Sequence, residues 1–174
     1  MTKACFTTAL LCLFTILFSF GQKVDYDKKV TELGLTLYAP SKPVANYVKA
    51  VRTGNLLFLA GHVSTRADNS GIIGKVGKDL TVEQGYEAAK VTTVSLLSTL
   101  KAELGSLNRV KRIVKVTGMV NCLPDFADQP KVINGCSDLL VSVFGDNGRH
   151  ARTAVGMTIP LNYAVEIEMI VEVE

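Results

Sequence analysis

Gly148-Arg-His-Ala-Arg-Thr153 brings two guanidiniums and an imidazole together directly before an apolar, β-rich run at residues 153–158. A guanidinium held at the start of a strand can grip a carboxylate through two parallel hydrogen bonds. Arg152 is therefore the candidate clamp for a small ligand carrying a carboxylate. The same side chain would serve equally well as the structural partner of a glutamate on the last strand. Glu166 or Glu168 can act as general base or acid toward a water, because a partly buried carboxylate near an arginine can be tuned for that role. Four glutamates on one strand face, Glu166, Glu168, Glu172 and Glu174, also fit a solvated edge without chemistry.

Other chemistries find less support. His62 and His150 have no companions at metal-ligand spacing, and no Ser or Cys stands in a nucleophile context, so neither a metal site nor a His-based triad is expected. Gly71, Gly74 and Gly77 with Lys75 and Lys78 lack the Gly-Lys-Ser/Thr of a phosphate loop. No cofactor is implied.

The elements that must hold Arg152 and the glutamates follow from periodicity. Residues 25–33 read as a short helix or turn ending at Gly34, followed by a proline-containing loop. Residues 47–52 and 56–61 are β-rich runs joined by Thr53-Gly54-Asn55, a hairpin connection. Residues 62–78 are rich in glycine and charge, and 71–77 can add a strand. Thr81-Val-Glu-Gln84 is a capping box, after which Tyr86, Ala89, Val94, Leu97 and Leu100 recur near helical spacing up to Gly105. Residues 110–121 alternate, with Val114, Val116, Gly118 and Val120 on one side. Asp128, Pro130 and the stripe Val132, Cys136, Leu140 and Val143 predict a second amphipathic helix closed by Gly145. A strand over 153–158, a turn at Pro160-Leu-Asn162 and a final strand complete the chain. In that last strand Val165, Ile167, Met169, Val171 and Val173 face one way, and that face must meet the helices. The order predicts an α+β layer with helices on one face of a mixed sheet. The other face, partly apolar and partly acidic, suits a closed oligomer; a monomer with a solvated acidic edge is the alternative.

The chain of 174 residues opens with Met-Thr-Lys and an apolar run at residues 9–18, too short to span a bilayer comfortably. Ser19 and Gly21 occupy the −3 and −1 positions for cleavage before Gln22, so residues 1–21 are expected to be a secretory signal. The protein is then exported, to the periplasm or beyond, with no stable membrane anchor; an uncleaved membrane anchor is the competing reading. Lys3 leaves with the signal and no acid does, so 19 basic side chains become 18 against 16 acidic ones. A charge this close to neutral, with no basic run, gives no support to nucleic-acid binding. The remaining length favours one domain. Cys122 and Cys136 are spaced like neither a zinc site nor a redox motif.

Several segments together resemble the RidA/YjgF family, also labelled endoribonuclease L-PSP and reactive-intermediate deaminase. They are Asn46-Tyr-Val-Lys-Ala-Val-Arg-Thr-Gly-Asn-Leu-Leu-Phe-Leu-Ala-Gly61, Val110-Lys-Arg-Ile-Val-Lys-Val-Thr-Gly118, Leu123-Pro-Asp-Phe126, His150-Ala-Arg-Thr-Ala-Val155, Pro160 and Val165-Glu-Ile-Glu168. The resemblance divides the chain into an N-terminal extension at 22–43 and a RidA-like domain at 44–174. It implies a chorismate-mutase-like fold, two helices on one face of the sheet, and a homotrimer with a central barrel and ligand clefts between subunits. It also implies an enamine/imine deaminase that releases a 2-keto acid and ammonia from 2-aminoacrylate-type intermediates. A non-catalytic binder of small carboxylates on the same scaffold is the alternative. By the resemblance Arg152 is the clamp, Glu166 orients the water, Tyr47 lines the cleft, and the backbone of Gly61 faces the ligand. Three positions depart from the family pattern: Ala60 replaces a Ser, Ala154 a Cys, and Pro124 an Asn. A nuclease has the least physical basis, since no aromatic-basic patch is visible.

Overall fold

The computed structural model describes residues 24–43 and 45–174. The expected signal, residues 1–21, lies outside the described residues. The elements are α1 (Tyr26–Glu32), β1 (Ala50–Thr53), β2 (Leu56–Val63), α2 (Val82–Leu104), β3 (Val110–Asn121), α3 (Gln129–Phe144), β4 (Ala151–Met157) and β5 (Val165–Val173). The strands form one mixed sheet in the order β1-β2-β5-β3-β4. Only β3 and β4 run parallel, and α3 is the crossover between them. Helices α2 and α3 cover one face, as the order of elements predicts.

Reciprocal hydrogen bonds start α2: Thr81 Oγ1 accepts from the Gln84 amide at 3.2 Å, and Gln84 Oε1 accepts from the Thr81 amide at 2.8 Å. The helix stops at Gly105, whose φ of 77° suits a residue without Cβ. Its buried stripe is rotated from the expected one. Tyr86 and Val94 are only half-buried, while Thr92 and Thr93 are buried. Each threonine hydroxyl donates at 2.8 Å to the carbonyl four residues back, so burial leaves it satisfied.

The alternation of β5 holds throughout, with Val165, Ile167, Met169, Val171 and Val173 all buried against the helices. Full burial of each such side chain contributes about 1.5–3 kcal/mol. The strand is not an edge, however: β2 and β3 flank it, so its glutamates lie in the middle of the sheet. In β3 a bulge between Ile113 and Lys115 puts Ile113 rather than Val114 on the buried face. The first strand begins at Ala50, later than its β-rich sequence suggests. The strand carrying Arg152 begins earlier, at Ala151, so that Arg152 lies inside it.

Residues 71–77 do not form a strand. They make only isolated bridges, Gly71 with Thr65, Ile73 with Tyr163, and Val76 with Leu80 and Cys122, because left-handed φ values at Gly74 and Gly77 interrupt any ladder. The segment anchors the turn before β5 instead. Lys75 Nζ donates to Asn121 Oδ1 at 3.0 Å, and Asn121 Nδ2 donates to Asn162 Oδ1 at 2.9 Å. At the other end of the molecule Tyr26 and Val30 of α1 enter the common core. The Tyr26 ring stands edge-on to Phe144 at 4.8 Å, so α1 packs against α3 within the common core.

Candidate functional site

Arg152 lies on the edge strand β4 in register with Val116 of β3, and Val116 is fully buried beneath the helices. Paired residues share a sheet face. The arginine therefore projects on the helix side, where its Nη1 donates to Asn134 Oδ1 at 2.8 Å and to Ser137 Oγ at 3.1 Å, both on α3. The pairing with a last-strand glutamate does not form. Nε and Nη2 have no partner among the described residues, which leaves one edge of the guanidinium free for the bidentate grip of a carboxylate.

His150 braces this arrangement. Its Nδ1 lies 2.7 Å from the Gly148 carbonyl and its Nε2 3.2 Å from Ser137 Oγ. Burial first, and then the neighbouring Arg152, hold the imidazole below its usual pKa, while the Gly148 bond opposes them. The neutral ring thus donates from Nδ1 and accepts the Ser137 proton at Nε2, which turns the Ser137 lone pairs toward Arg152. Asn134 and Ser137 were not singled out by the sequence pattern. Their signal was two polar residues one helical turn apart, beside the apolar stripe of a helix.

Glu166 belongs to the opposite face. It is in register with Met119 of β3 and Val63 of β2, away from the helices. Burial, and secondarily the charge of Glu168, raise its pKa. A bulge between Leu59 and His62 displaces the Ala60-Gly61 backbone of β2, and a Cβ on Gly61 would collide with the Glu166 carboxylate. Gly61 is therefore the floor on which Glu166 rests. Tyr47 precedes β1, two residues before Lys49, whose carbonyl accepts from the Ala60 amide at 2.9 Å; its side chain is exposed. Tyr47, Gly61 and Glu166 thus belong to the β1-β2-β5 side. Arg152 stands on the other face, two strand spacings or roughly 10 Å from Glu166 across the sheet and three residues or about 10 Å along it. One chain does not bring the four together.

The face bearing Glu166 is uncovered by any helix among the described residues and carries a hollow of about 370 Å³ lined by Val48, Val51, Phe58, Ala60, Glu168 and Ile170. Val51 and Phe58, paired across the hairpin, are 55% and 40% exposed. Pro124, one of the departures from the family pattern, lines another hollow with Lys75, Cys122 and Gly156 at the far end of β4. Cys122 and Cys136 are both buried and free, and burial pushes the Cys136 thiol up to about 12. Among the described residues no group of three His, Cys, Asp or Glu could hold a metal ion.

The model of the family described as "YjgF/chorismate_mutase-like, putative endoribonuclease" matches residues 27–173. Protein TCP17 of Trypanosoma cruzi is 42% identical over 142 residues, covering 80% of this chain and 89% of that protein. Among solved structures, Atu1372 of Agrobacterium tumefaciens, whose function is unknown, is 40% identical with a TM-score of 0.80 over 86% of this chain and 92% of that one. A Shewanella oneidensis protein crystallised as a "putative endoribonuclease" is 28% identical with a TM-score of 0.83 over 86% of this chain and all of the other. The chain belongs to the RidA/YjgF family and has its chorismate-mutase-like fold.

Proposed function

We propose that this protein is an exported, trimeric enamine/imine deaminase whose clefts are completed between subunits. The observation that carries the reading is Arg152: it is held by α3 through Nη1, has no carboxylate partner, and offers its remaining edge outward. That edge takes the carboxylate of a 2-aminoacrylate-type enamine in its imine form. Glu166 of the neighbouring subunit accepts a proton from water as the oxygen adds to the imine carbon. Glu166 passes that proton to the nitrogen, giving a carbinolamine. The remaining hydroxyl proton then moves to the amine as the C–N bond breaks and the C=O bond forms, so ammonia leaves and a 2-keto acid remains. A carboxyl whose pKa is raised by burial is a better proton acceptor than an exposed one. The exposed apolar residues of the open face support its use as the subunit seam, and the apolar run with Ser19 and Gly21 supports export.

The second reading, a non-catalytic carboxylate binder, is favoured by Ala60, which stands beside Gly61 and Glu166 where the family pattern has a hydroxyl. Ammonia release from an enamine generated in situ decides between them, using protein purified after expression of the full chain. The deaminase gives release that Arg152→Ala and Glu166→Gln both abolish, with the Gln variant still binding pyruvate. The binder gives no release and pyruvate binding that only Arg152→Ala removes. Wild-type behaviour in both variants would remove the clamp altogether. Mass spectrometry of the product should find Gln22 at its N-terminus; an intact residue 1 would overturn the processed form.

A further inference from the structure

On the helix side of the sheet, behind the Gly61 bulge, a cavity of about 330 Å³ opens beneath Tyr38 and Pro40. It is separate from the Arg152 edge and from the face of Glu166. Lys49 and Arg66 line it with Ser95, Thr99 and His62, and no Asp or Glu does. Lys49 is half-buried and has no carboxylate or hydrogen-bond partner among the described residues, and burial lowers its pKa. Arg66 spends one nitrogen on a long contact to Ser70 Oγ at 3.4 Å. Asp68 accepts from the Ser70 amide and hydroxyl, at 2.9 and 2.6 Å, and interacts with Arg66 only through its charge.

The rest of the wall is set for an uncharged surround. His62 is 3% exposed, with Nδ1 2.7 Å from the Ala60 carbonyl and Nε2 2.8 Å from Thr99 Oγ1, so both ring nitrogens are committed. Tyr38 donates its hydroxyl to the Thr65 carbonyl at 3.0 Å, which ties the residues over the cavity to the loop carrying Arg66. The Ser95 hydroxyl makes no hydrogen bond among the described residues. Two cations and an uncommitted hydroxyl line the cavity, and the one acid whose charge reaches Arg66, Asp68, lies outside the lining, so the wall itself is an incomplete electrostatic set. A single charge would leave one cation unmatched, whereas a phosphate monoester carries nearly two negative charges at neutral pH.

We propose that this cavity is a second ligand site, which binds the phosphate group of a small phosphorylated metabolite between Lys49 and Arg66. The volume lies at the lower end of small-molecule pockets, large enough for a phosphate with a short organic remainder. The site is independent of the deaminase reading, because it shares neither Arg152 nor Glu166.

The test is calorimetric titration with inorganic phosphate and, separately, with pyruvate, on protein purified after expression of the full chain. Saturable phosphate binding is expected. Lys49→Met and Arg66→Met should each weaken it about 10-fold or more, as expected for loss of a charge-assisted hydrogen bond. Lys49→Arg and Arg152→Ala should leave it within a factor of about 3. Ser95→Asp, which places a carboxylate in the wall, should abolish binding and stands in if Lys49→Met melts abnormally. Absence of saturable phosphate binding would overturn the proposal. So would binding that Arg152→Ala removes and Lys49→Met spares, or pyruvate binding that Lys49→Met weakens as much as phosphate binding.

Discussion

The carboxylate of Glu166 occupies the space that a Cβ on Gly61 would fill. Gly61 needs no unusual φ; what it supplies is the missing side chain, at a bulge that brings the β2 backbone under the neighbouring strand. Gly61→Ala is expected to fold, because the colliding group is the end of a flexible side chain, but to swing Glu166 out of place. Its melting temperature should stay near that of the wild type while ammonia release falls to the level of Glu166→Gln. Wild-type turnover in Gly61→Ala would show that the seat of Glu166 is irrelevant.

Asn134 and Ser137 orient one edge of Arg152 and leave the other free. Asn134→Ala should weaken pyruvate binding roughly 10-fold, the scale of one hydrogen bond to a charged group. Arg152→Lys keeps the charge but loses the planar fork, and should bind less well than Asn134→Ala. Calorimetry of the two variants beside the wild type checks this order.

Because Arg152 and Glu166 lie on opposite faces of one sheet, a cleft using both takes them from different subunits. Neither Arg152→Ala nor Glu166→Gln alone should release ammonia, but the two chains unfolded together and refolded as a mixture should regain part of the activity. An inactive mixture of well-folded chains would place the two residues in separate sites. Phe58→Asp, on the exposed face, should yield smaller species in light scattering and lose activity with the assembly.

His62 links stability to acid. Burial lowers its pKa from 6.5 to about 4, against the effect of the Ala60 carbonyl, and Lys49 adds to the lowering. The unfolded chain takes up this proton near its ordinary pKa while the folded chain resists. The contribution is thus fully present at neutral pH and is lost as pH falls from 6.5 to about 4. The loss amounts to roughly 3 kcal/mol. Urea unfolding of His62→Gln should show a flatter dependence over that window; parallel curves for the two proteins would reject the assignment.

Asn121, itself fully buried, joins half-buried Lys75 to exposed Asn162 in a chain of hydrogen bonds that holds the turn before β5. Asn121→Val removes the middle link, leaves Asn162 without that partner, and should cost about 1–3 kcal/mol in thermal or urea unfolding.

Where one local rule decides the outcome, the sequence was enough. The capping box and Gly105 delimit α2, the alternation of Val165 to Val173 defines the buried face of β5, and the hairpin follows from its short glycine connection. The matching segments between Asn46 and Glu168, taken as a set, identified the family. Tertiary structure decided what depends on strand order and on bulges. Strand order put β5 in the centre and β4 at the edge, which sends Arg152 and Glu166 to opposite sides of the molecule. A one-residue bulge inverted Val114 and Ile113, and another seated Glu166 over Gly61. Asn134, Ser137 and the Lys49 cavity were illegible because their partners are distant in the chain: local periodicity reports which face a residue occupies, while register and crossover determine what stands opposite it.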